Sequence, residues 1–370
     1  MNVLLHFAST AALLGVFLLL AVPIYSNHFA SQLYSQASHG NHHRNLVLSP
    51  ATTNMALGLV FFGTRDCPEL TQVLDTMRHG DLATAAIKMV NRLYVDRNIQ
   101  LMPAYQEAIS DDRMGQPAKK VDFSDTQVAS EEINSFVRIL TDNKIQRFIH
   151  PGPLDKDIKM AIANAAYFHG EWAGIKSSKR LPFYPLNGTE QLLVDTLETY
   201  DALRYGSIDY LDAHVVELPY RSEQLSMIII LPRDPGQSLS KLSSLIRDVD
   251  LVPLTENLTK EFVHLQLPKF QVETRLPLEK ILRPLGVKTM FHAPILHKMI
   301  ASRDRNHKIG TILHYSSIEV SESGRGYSPL MMMSQQMGRT PIQFFANHPF
   351  IFAIKDTNHI YFMGHVAAPP

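Results

Sequence analysis

"NHPFIFAIKDTNHIYFMGHVAAPP", residues 347–370, contains two short apolar runs, 350–354 and 360–363. Both are rich in aromatic and β-branched residues, and Pro, Asp and Gly bound them, which predicts two strands. Further runs of this kind fill the second half of the chain from about residue 159, among them "KMAIANAAYFHGEW", "HVVELPYRS", "LSMIIILPRD", "VHLQLPKFQV" and "GTILHYSSIEV".

Helical spacing dominates the first half of the chain instead. "LVLSPATTNMALGLVFFG", residues 46–63, begins like a strand and turns at Ser49-Pro50 into an apolar helix that must be buried. "SEEINSFVRILTDNKI" predicts an amphipathic helix that starts with a capping box at Ser130. Helices followed by strands, with one helical "PLEKILRPLGV" among the strands, predict a single α+β domain with large, mainly antiparallel sheets.

Composition excludes several classes of function. The 370 residues are 45% apolar and 19% charged, and 35 basic residues balance 35 acidic ones. A net charge of zero gives no reason to expect binding to nucleic acid or to an anionic membrane.

The amino terminus predicts secretion. Residues 11–22 form an unbroken apolar run too short to span a bilayer, so we interpret residues 1–26 as a signal peptide cleaved after Ser26. "MNVLLHF" lacks Lys and Arg, and a buried helix or an uncleaved anchor is the alternative. An extracellular protein could carry glycans on Asn187 and Asn257. The lone Cys67 excludes an internal disulfide.

No motif of an enzyme or a cofactor site occurs. The sequence has no G-x-S-x-G elbow, Walker A loop, dinucleotide fingerprint or H-E-x-x-H pair. His42 and His43 are adjacent, and His292 and His297 are five apart, which does not aim two imidazoles at one metal. We therefore expect no catalytic residues, no metal and no cofactor.

Seven segments resemble, in order and over nearly the whole chain after residue 26, the signature segments of the serpin family. The resemblance implies a serpin fold over residues 27–370, with three β-sheets around a central sheet A, about eight helices and an exposed reactive-centre loop. The compact form looks most like insect extracellular serpins. The segments are "LVLSPATTNMALGLVFFG", "EEINSFVRILTDNKIQRFI", "IANAAYFHGEWA", "VVELPYRSEQLSMIIILPRD", "LPKFQVETRLPLEKILRPLGV", "ILHYSSIEVSESG" and "NHPFIFAIKDTNHIYFMGHVAAPP".

By this resemblance, "SGRGYSPLMMMSQQMGR", residues 323–339, is the reactive-centre loop. Inhibitory serpins offer this loop to a serine protease, which stays acylated while the cleaved loop inserts into sheet A as a new strand. The nucleophile belongs to the protease. The family spacing places the scissile bond at Gly338-Arg339, and a shift of one residue places it at Arg339-Thr340.

Six further positions correspond to family residues that keep sheet A closed. Thr52, Asn164 and His314 match the shutter beneath the sheet, although a serine is usual where Thr52 stands. The breach at the top of the sheet is matched by Trp172 and by a Lys–Glu pair, Lys269 and Glu322.

The first part of the loop departs from the inhibitory pattern, which is a threonine or serine followed by alanines. With Gly324 as the hinge glycine, the residues that would point inward on insertion begin with Arg325, Tyr327 and Pro329; Gly326 and Ser328 alternate with them. A buried guanidinium, an oversized ring and a missing N–H donor each oppose insertion.

Three functions stay open at this point. The main hypothesis is a secreted serpin that is non-inhibitory or is cleaved as a substrate. The alternatives are an inhibitor of a trypsin-like extracellular serine protease, cleaved near Arg339, and an extracellular carrier or binding protein. Only residues 78–90 stand where the family usually carries helix D, so heparin binding is not expected. We expect a monomer.

Overall fold

The computed structural model describes residues 28–64, 86–110, 115–150, 154–155, 157–172, 177–185, 191–221, 224–236, 238–291, 296–301, 307–322 and 340–369. Seven α-helices, α1–α7, lie in these ranges: 28–38, Pro50–Phe62, Pro103–Ala108, Thr126–Leu140, Leu239–Ile246, Leu251–Glu256 and Leu278–Leu282. Short 3-10 helices span Asp209–Leu211 and Thr289–Phe291.

Fourteen strands, β1–β14, are described. In chain order they are Leu46–Leu48, Ile87–Asp96, Gln116–Val121, Met160–His169, Ser177–Phe183, Leu192–Ile208, Ala213–Pro219, Ser226–Pro232, Thr259–Pro268, Phe270–Pro277, Thr311–Val320, Ile342–Phe345, Phe350–Lys355 and Ile360–Val366. Helices concentrate in the first half of the chain and strands in the second, which confirms the α+β prediction.

A five-stranded sheet has the order β10-β11-β4-β2-β3 and corresponds to the predicted central sheet A. The other strands form one path, β1-β14-β13-β8-β7-β6-β9-β12, with β5 also paired to β6. The two further sheets that the resemblance implies share the 17-residue strand β6 and are continuous through it. The carboxyl-terminal segment lies inside this path, because β13 pairs with both β14 and β8.

Strands β4 and β11 run parallel at the middle of the central sheet, and we call their contact the seam. Nine residue pairs join them, from Thr311↔Ala161 to Glu319↔His169. The flanking strands β10 and β2 are antiparallel to their neighbours in the seam. A strand inserted into the seam from the loop after β11 would be antiparallel to both β4 and β11.

Both faces of the seam are packed. On one face Ala163, Ala165 and Tyr167 of β4 join a buried cluster with Ile133 and Val137 of α4. On the opposite face the alternate β4 residues join the two larger clusters of the core. Strand β4 is therefore almost completely buried, and its sequence lacks the polar alternation of a half-exposed strand.

The two predicted helix starts have different outcomes. Ser49 caps α2 by accepting from the Thr52 backbone N–H at 3.2 Å, and Pro50 takes the first helical turn, as expected. The capping box at Ser130 is wrong, because α4 begins earlier and Asp125 caps it. Ser130 lies within the helix, where its hydroxyl donates to Thr126 O at 2.7 Å. A side chain that can bond the preceding turn satisfies itself inside a helix as well as at its start.

We predict that Gly364→Ala strongly destabilises the protein. Gly364 pairs with Val47 and with Phe352 across neighbouring strands. An added Cβ would overlap Leu46 O and lie 2.8 Å from Phe352 Cζ. Overpacking of this kind costs about 1–3 kcal/mol of unfolding free energy. Chemical denaturation measures it, with Gly236→Ala in an exposed turn as the control; equal stability of the two variants would contradict the packing of β14.

Candidate functional site

The candidate site is the seam together with the two points where the chain leaves and rejoins the described structure. Strand β11 leads to Glu322, and Thr340 is the next described residue before β12. Loop residues 323–339 lie outside the described residues, as do Cys67, Asn187 and residues 1–26. The sequence predictions that therefore receive no structural description are those on Gly324, Arg325, Gly326, Tyr327, Ser328, Pro329, Gly338 and Arg339.

The predicted shutter residues Asn164 and His314 meet at the centre of the seam, where they are a register pair. His314 Nδ1 lies 2.5 Å from Asn164 Oδ1, and Nε2 lies 3.1 Å from the backbone N of Ser49. A backbone N–H only donates, so Nε2 accepts and the proton is on Nδ1, from which it is donated to Asn164. The hydroxyl of Ser316 is also 2.9 Å from Nε2.

Asn164 extends this network to α2 and β2. Its Nδ2 donates to Thr52 O at 2.5 Å and to Asn91 Oδ1 at 3.3 Å. Thr52 therefore takes part through its backbone carbonyl, while its own hydroxyl donates to Ser49 O at 3.3 Å. This explains how threonine can occupy the position where serine is usual.

Sequence reasoning missed three members of the shutter: Ser49, Asn91 and Ser316. All three are buried, as are Asn164 and His314. Ser49 attracted attention only as a helix start, and Asn91 and Ser316 lie within strands. A polar residue inside an apolar strand is the signal that could have identified the last two, because a buried polar group needs a partner.

Burial lowers the pKa of His314 to about 3, so its ring is neutral in the folded protein at neutral pH. Burial likewise lowers the pKa of His365 to about 4, although hydrogen bonding to Arg44 O opposes the shift. A neutral ring that donates from one nitrogen and accepts at the other fits the His314 network. A second proton, on Nε2, would face the Ser49 N–H and break the hydrogen bond between Ser49 and His314.

The breach lies at the end of the seam next to the loop. Phe270 and Val320 form the last register pair of β10 and β11; Lys269 precedes Phe270, and Glu322 lies two residues after Val320. Lys269 Nζ is 2.7 Å from Glu322 Oε1. Trp172 belongs to the same buried cluster as Phe270 and Val320. The structure therefore brings together the Lys–Glu pair at the place where the resemblance implies it, with Trp172 in the apolar core beneath.

Trp172 stacks on Tyr220, with ring centroids 4.1 Å apart and an interplanar angle of 17°. The backbones of the two residues also form an isolated bridge. Tyr220 therefore lies next to the predicted breach residues, and the sequence reasoning missed it.

Glu319 adds a polar contact across the top of the seam. It lies on β11, and its Oε2 accepts from Tyr167 OH at 3.2 Å and lies 3.6 Å from His169 Nδ1, both on β4. Tyr167 is buried, whereas Glu319 and His169 are partly exposed, so the contact between these two contributes little to stability. They mark the first residue pair that a strand inserting from the loop would separate.

The chain rejoins the structure at β12, which pairs in parallel with β9 at the edge of its sheet. Phe345 of β12 contacts the edge of the His264 ring, and His264 stacks on Tyr200 at 4.0 Å. Glu198 holds His264 Nε2 at 2.9 Å and Lys179 Nζ at 2.7 Å. Burial raises the pKa of Glu198, but the hydrogen bonds from Lys179, His264 and Gln266 outweigh it and lower the pKa to about 2.

The described ranges contain no group of three or more His, Cys, Asp and Glu side chains arranged to hold a metal ion. None of the described helices has the length and apolar character needed to cross a bilayer.

We predict that stability falls as the pH drops below about 6.5. A histidine with a lowered pKa takes up a proton on unfolding, so each such group costs about 1.4 kcal/mol of unfolding free energy per pH unit between its unfolded and folded pKa. For His314 this window runs from about 6.5 down to about 3. Denaturation at pH 7, 6 and 5 measures the slope. His314→Gln should reduce it and His39→Gln, at an exposed site, should not; equal slopes would contradict a neutral His314.

The comparisons with known proteins agree with this geometry. The family model for "Serpin (serine protease inhibitor)" matches residues 25–369. The chain is 28% identical to a leukocyte elastase inhibitor of Xenopus laevis, over 92% of this chain and 98% of that protein. It is 29% identical to serine protease inhibitor 42Dd of Drosophila melanogaster, over 92% of this chain and 95% of that protein.

Solved structures give the same result. Serpin48 of the insect Tenebrio molitor is 27% identical, with a TM-score of 0.81 over 94% of this chain and 98% of its own. Maspin is 25% identical, with a TM-score of 0.80 over 94% of this chain and 99% of its own. The chain belongs to the serpin family.

Proposed function

We propose that this protein is a secreted serpin that presents loop 323–339 to extracellular serine proteases and is cleaved as a substrate without trapping them. The observation that carries the proposal is the closed seam, joined over nine residue pairs and packed on both faces. A trapping serpin must open this seam with its own loop. The loop of this chain is poorly suited to that task.

Opening the seam has a definite cost. The nine pairs between β4 and β11 separate, and the hydrogen bond between His314 and Asn164 is lost. The inserted strand must replace these interactions with its own N–H and C=O groups on both sides and with side chains that fit. In return, one parallel pairing becomes two antiparallel pairings, which are slightly more stable per residue.

The inserted side chains would meet small residues packed against large ones. At the loop end of the seam the core-facing set includes Ala166 and Phe168 of β4 and Ser316 and Ile318 of β11, all buried. A threonine or alanine suits such a site. The first inward residues of this loop are Arg325, Tyr327 and Pro329.

Each of these three opposes insertion for a different reason. Burying an unpaired guanidinium costs several kcal/mol, and a tyrosine in a site sized for alanine overpacks by about 1–3 kcal/mol. Pro329 has no N–H to donate to a central strand. The sum is on the order of 5 kcal/mol, and even 2–3 kcal/mol on the insertion barrier slows insertion about a hundredfold. Hydrolysis of the acyl bond then precedes insertion.

The second candidate is an inhibitor of a trypsin-like protease. The relatives named as inhibitors favour it, and Arg339 provides the basic residue that such a protease cleaves after. The bond attacked is then Arg339-Thr340, and Thr340 is exposed at the start of the last described range, 340–369.

Secretion is part of the proposal and rests on the apolar run before Ser26. Asn257 supports it, because the residue is exposed in the turn after α6, where its Nδ2 donates to Pro253 O at 3.0 Å. An exposed asparagine in Asn-Leu-Thr is open to glycosylation on the secretory route.

We predict that trypsin cleaves the mature protein, residues 27–370, within the loop and leaves no complex that survives SDS. The cleaved protein should melt at the same temperature as the intact one, because an expelled loop adds no strand. Gel electrophoresis and thermal melting provide the measurement. A stable covalent complex would overturn the proposal in favour of the inhibitor, and cleavage with a higher Tm would show that insertion survives.

A hinge-repair variant tests the physical reason. Arg325→Thr, Tyr327→Ala and Pro329→Ala together should raise the Tm after cleavage and increase the fraction of trapped protease. The matched control changes the alternate positions, Gly326→Ala and Ser328→Ala, which would face away from the core. Equal behaviour of the two variants would show that the hinge residues do not limit insertion.

We also predict secretion from cultured insect cells with Asn27 as the mature amino terminus. Removal of N-glycans should increase electrophoretic mobility, and Asn257→Gln should abolish part or all of that shift. Peptide sequencing of the medium and an enzymatic deglycosylation gel measure both. Retention of the full-length chain in the cell pellet would favour the uncleaved anchor.

A further inference from the structure

A cavity of about 600 Å³ lies at the carboxyl-terminal end of α4, away from the seam and the loop ends. Four exposed residues line it: Arg138 on the last turn of α4, and Asn143, Gln146 and Arg147 on the segment that follows. We call residues 141–150 the linker. Among the described residues, the lining contains two guanidinium groups, two carboxamides and no carboxylate.

The backbone that carries these side chains is held in place. Asn143 has a φ of 62°, and its N–H donates to Arg138 O at 2.8 Å, which closes the helix end. Asn134 of α4 accepts from the N–H groups of Phe148 and Ile149 at 2.9 and 2.8 Å. The backbone that carries Arg138 and Arg147 is therefore fixed, and both side chains line the same cavity.

The linker is also tied to the central sheet. Arg275 of β10 donates from Nη2 to Arg147 O at 2.6 Å and from Nε to Phe148 O at 3.3 Å. Phe148 packs against Tyr315 of β11, with the ring centroids 6.4 Å apart. A group bound by both Arg138 and Arg147 therefore connects α4 to the linker, which is held against β10 and β11.

The charges at the cavity are unbalanced. Neither Arg138 nor Arg147 forms a salt bridge with another residue in the described part of the chain. Asp142 is the nearest acidic residue in sequence, and its Oδ2 is engaged by Lys88 Nζ at 3.1 Å. Two guanidinium groups that share a cavity repel each other, and an anion between them removes that repulsion.

We propose that this cavity binds a sulfate or phosphate ester group. A guanidinium presents two parallel N–H donors that match two oxygens of a tetrahedral oxyanion, and two guanidinium groups can hold one such group from opposite sides. The side-chain carboxamide N–H groups of Asn143 and Gln146 provide further neutral donors. The bound anion ties α4 to the linker and slows the opening of the linker away from the sheet.

Calorimetric titration in 150 mM NaCl tests the site, with sucrose octasulfate and inositol hexakisphosphate as separate probes. We expect at least one probe to bind wild-type protein, and Arg138→Gln or Arg147→Gln to weaken it about tenfold each. Arg221→Gln is the matched control, because it removes one exposed guanidinium elsewhere and changes the net charge equally. Preference for one probe identifies the ester that the site accepts.

Hydrogen exchange locates the binding. The bound probe should slow exchange of residues 141–150 in wild-type protein and in Arg221→Gln, and leave it unchanged in the Arg138→Gln, Arg147→Gln double variant. Failure of both probes to bind wild-type protein would overturn the proposal. Equal affinity for the single variants Arg138→Gln and Arg147→Gln and for the control Arg221→Gln would do the same, because the probe would then be held by net charge alone. Neither result depends on how the loop behaves toward proteases.

Discussion

The pairing between β4 and β11 is the constraint on which the rest of the structure depends. β4 and β11 are parallel to each other over nine residue pairs. Each is antiparallel to its other neighbour in the sheet, β2 and β10 respectively. The chain leaves β11 directly toward the loop, so a strand made from that loop would enter with the opposite direction and pair on both sides. Insertion would replace one parallel pairing with two antiparallel pairings, and the closed packing of the seam opposes it. The shutter and breach residues lie along this seam or at its end next to the loop, whereas β12 lies at the edge of the other sheet.

The polar network at the centre of the seam shows how closure is made specific. Asn91, Asn164 and His314 lie side by side on three adjacent strands, in register across β2, β4 and β11. Burying these groups costs free energy unless each donor finds an acceptor. The start of α2 supplies the missing partners, through the N–H of Ser49 and the carbonyl of Thr52. A shift of the strands by one residue would leave several of them without partners, so the network fixes the register as well as the closure.

The loop contrasts with this frame. The predicted breach and shutter residues and the strand β12, where the chain rejoins the structure, all form consistent polar contacts. The hinge, in contrast, carries residues that a central strand accepts poorly. A chain can keep the closed serpin fold without a loop that inserts, because β4, β11 and the start of α2 supply the contacts that close the seam. Trapping a protease depends on the free-energy difference between the closed and the loop-inserted state. The stability of the closed protein depends on the closed state alone.

The sequence by itself determined the α+β class and the runs that contain β1, β4 and β7–β14, but not β2, β3, β5 or β6. Through seven matching segments it also determined the family and the positions of Asn164, His314, Lys269 and Glu322. These features can be predicted because the spacing of apolar residues along the chain reflects which side chains are buried. Only the tertiary structure decided that Ser49, Asn91 and Ser316 complete the shutter, that Asp125 and not Ser130 caps α4, and that Arg138 and Arg147 share a cavity. Such contacts join residues far apart in the chain or depend on which of several polar groups finds a partner, and a one-dimensional pattern does not contain the distances that settle this.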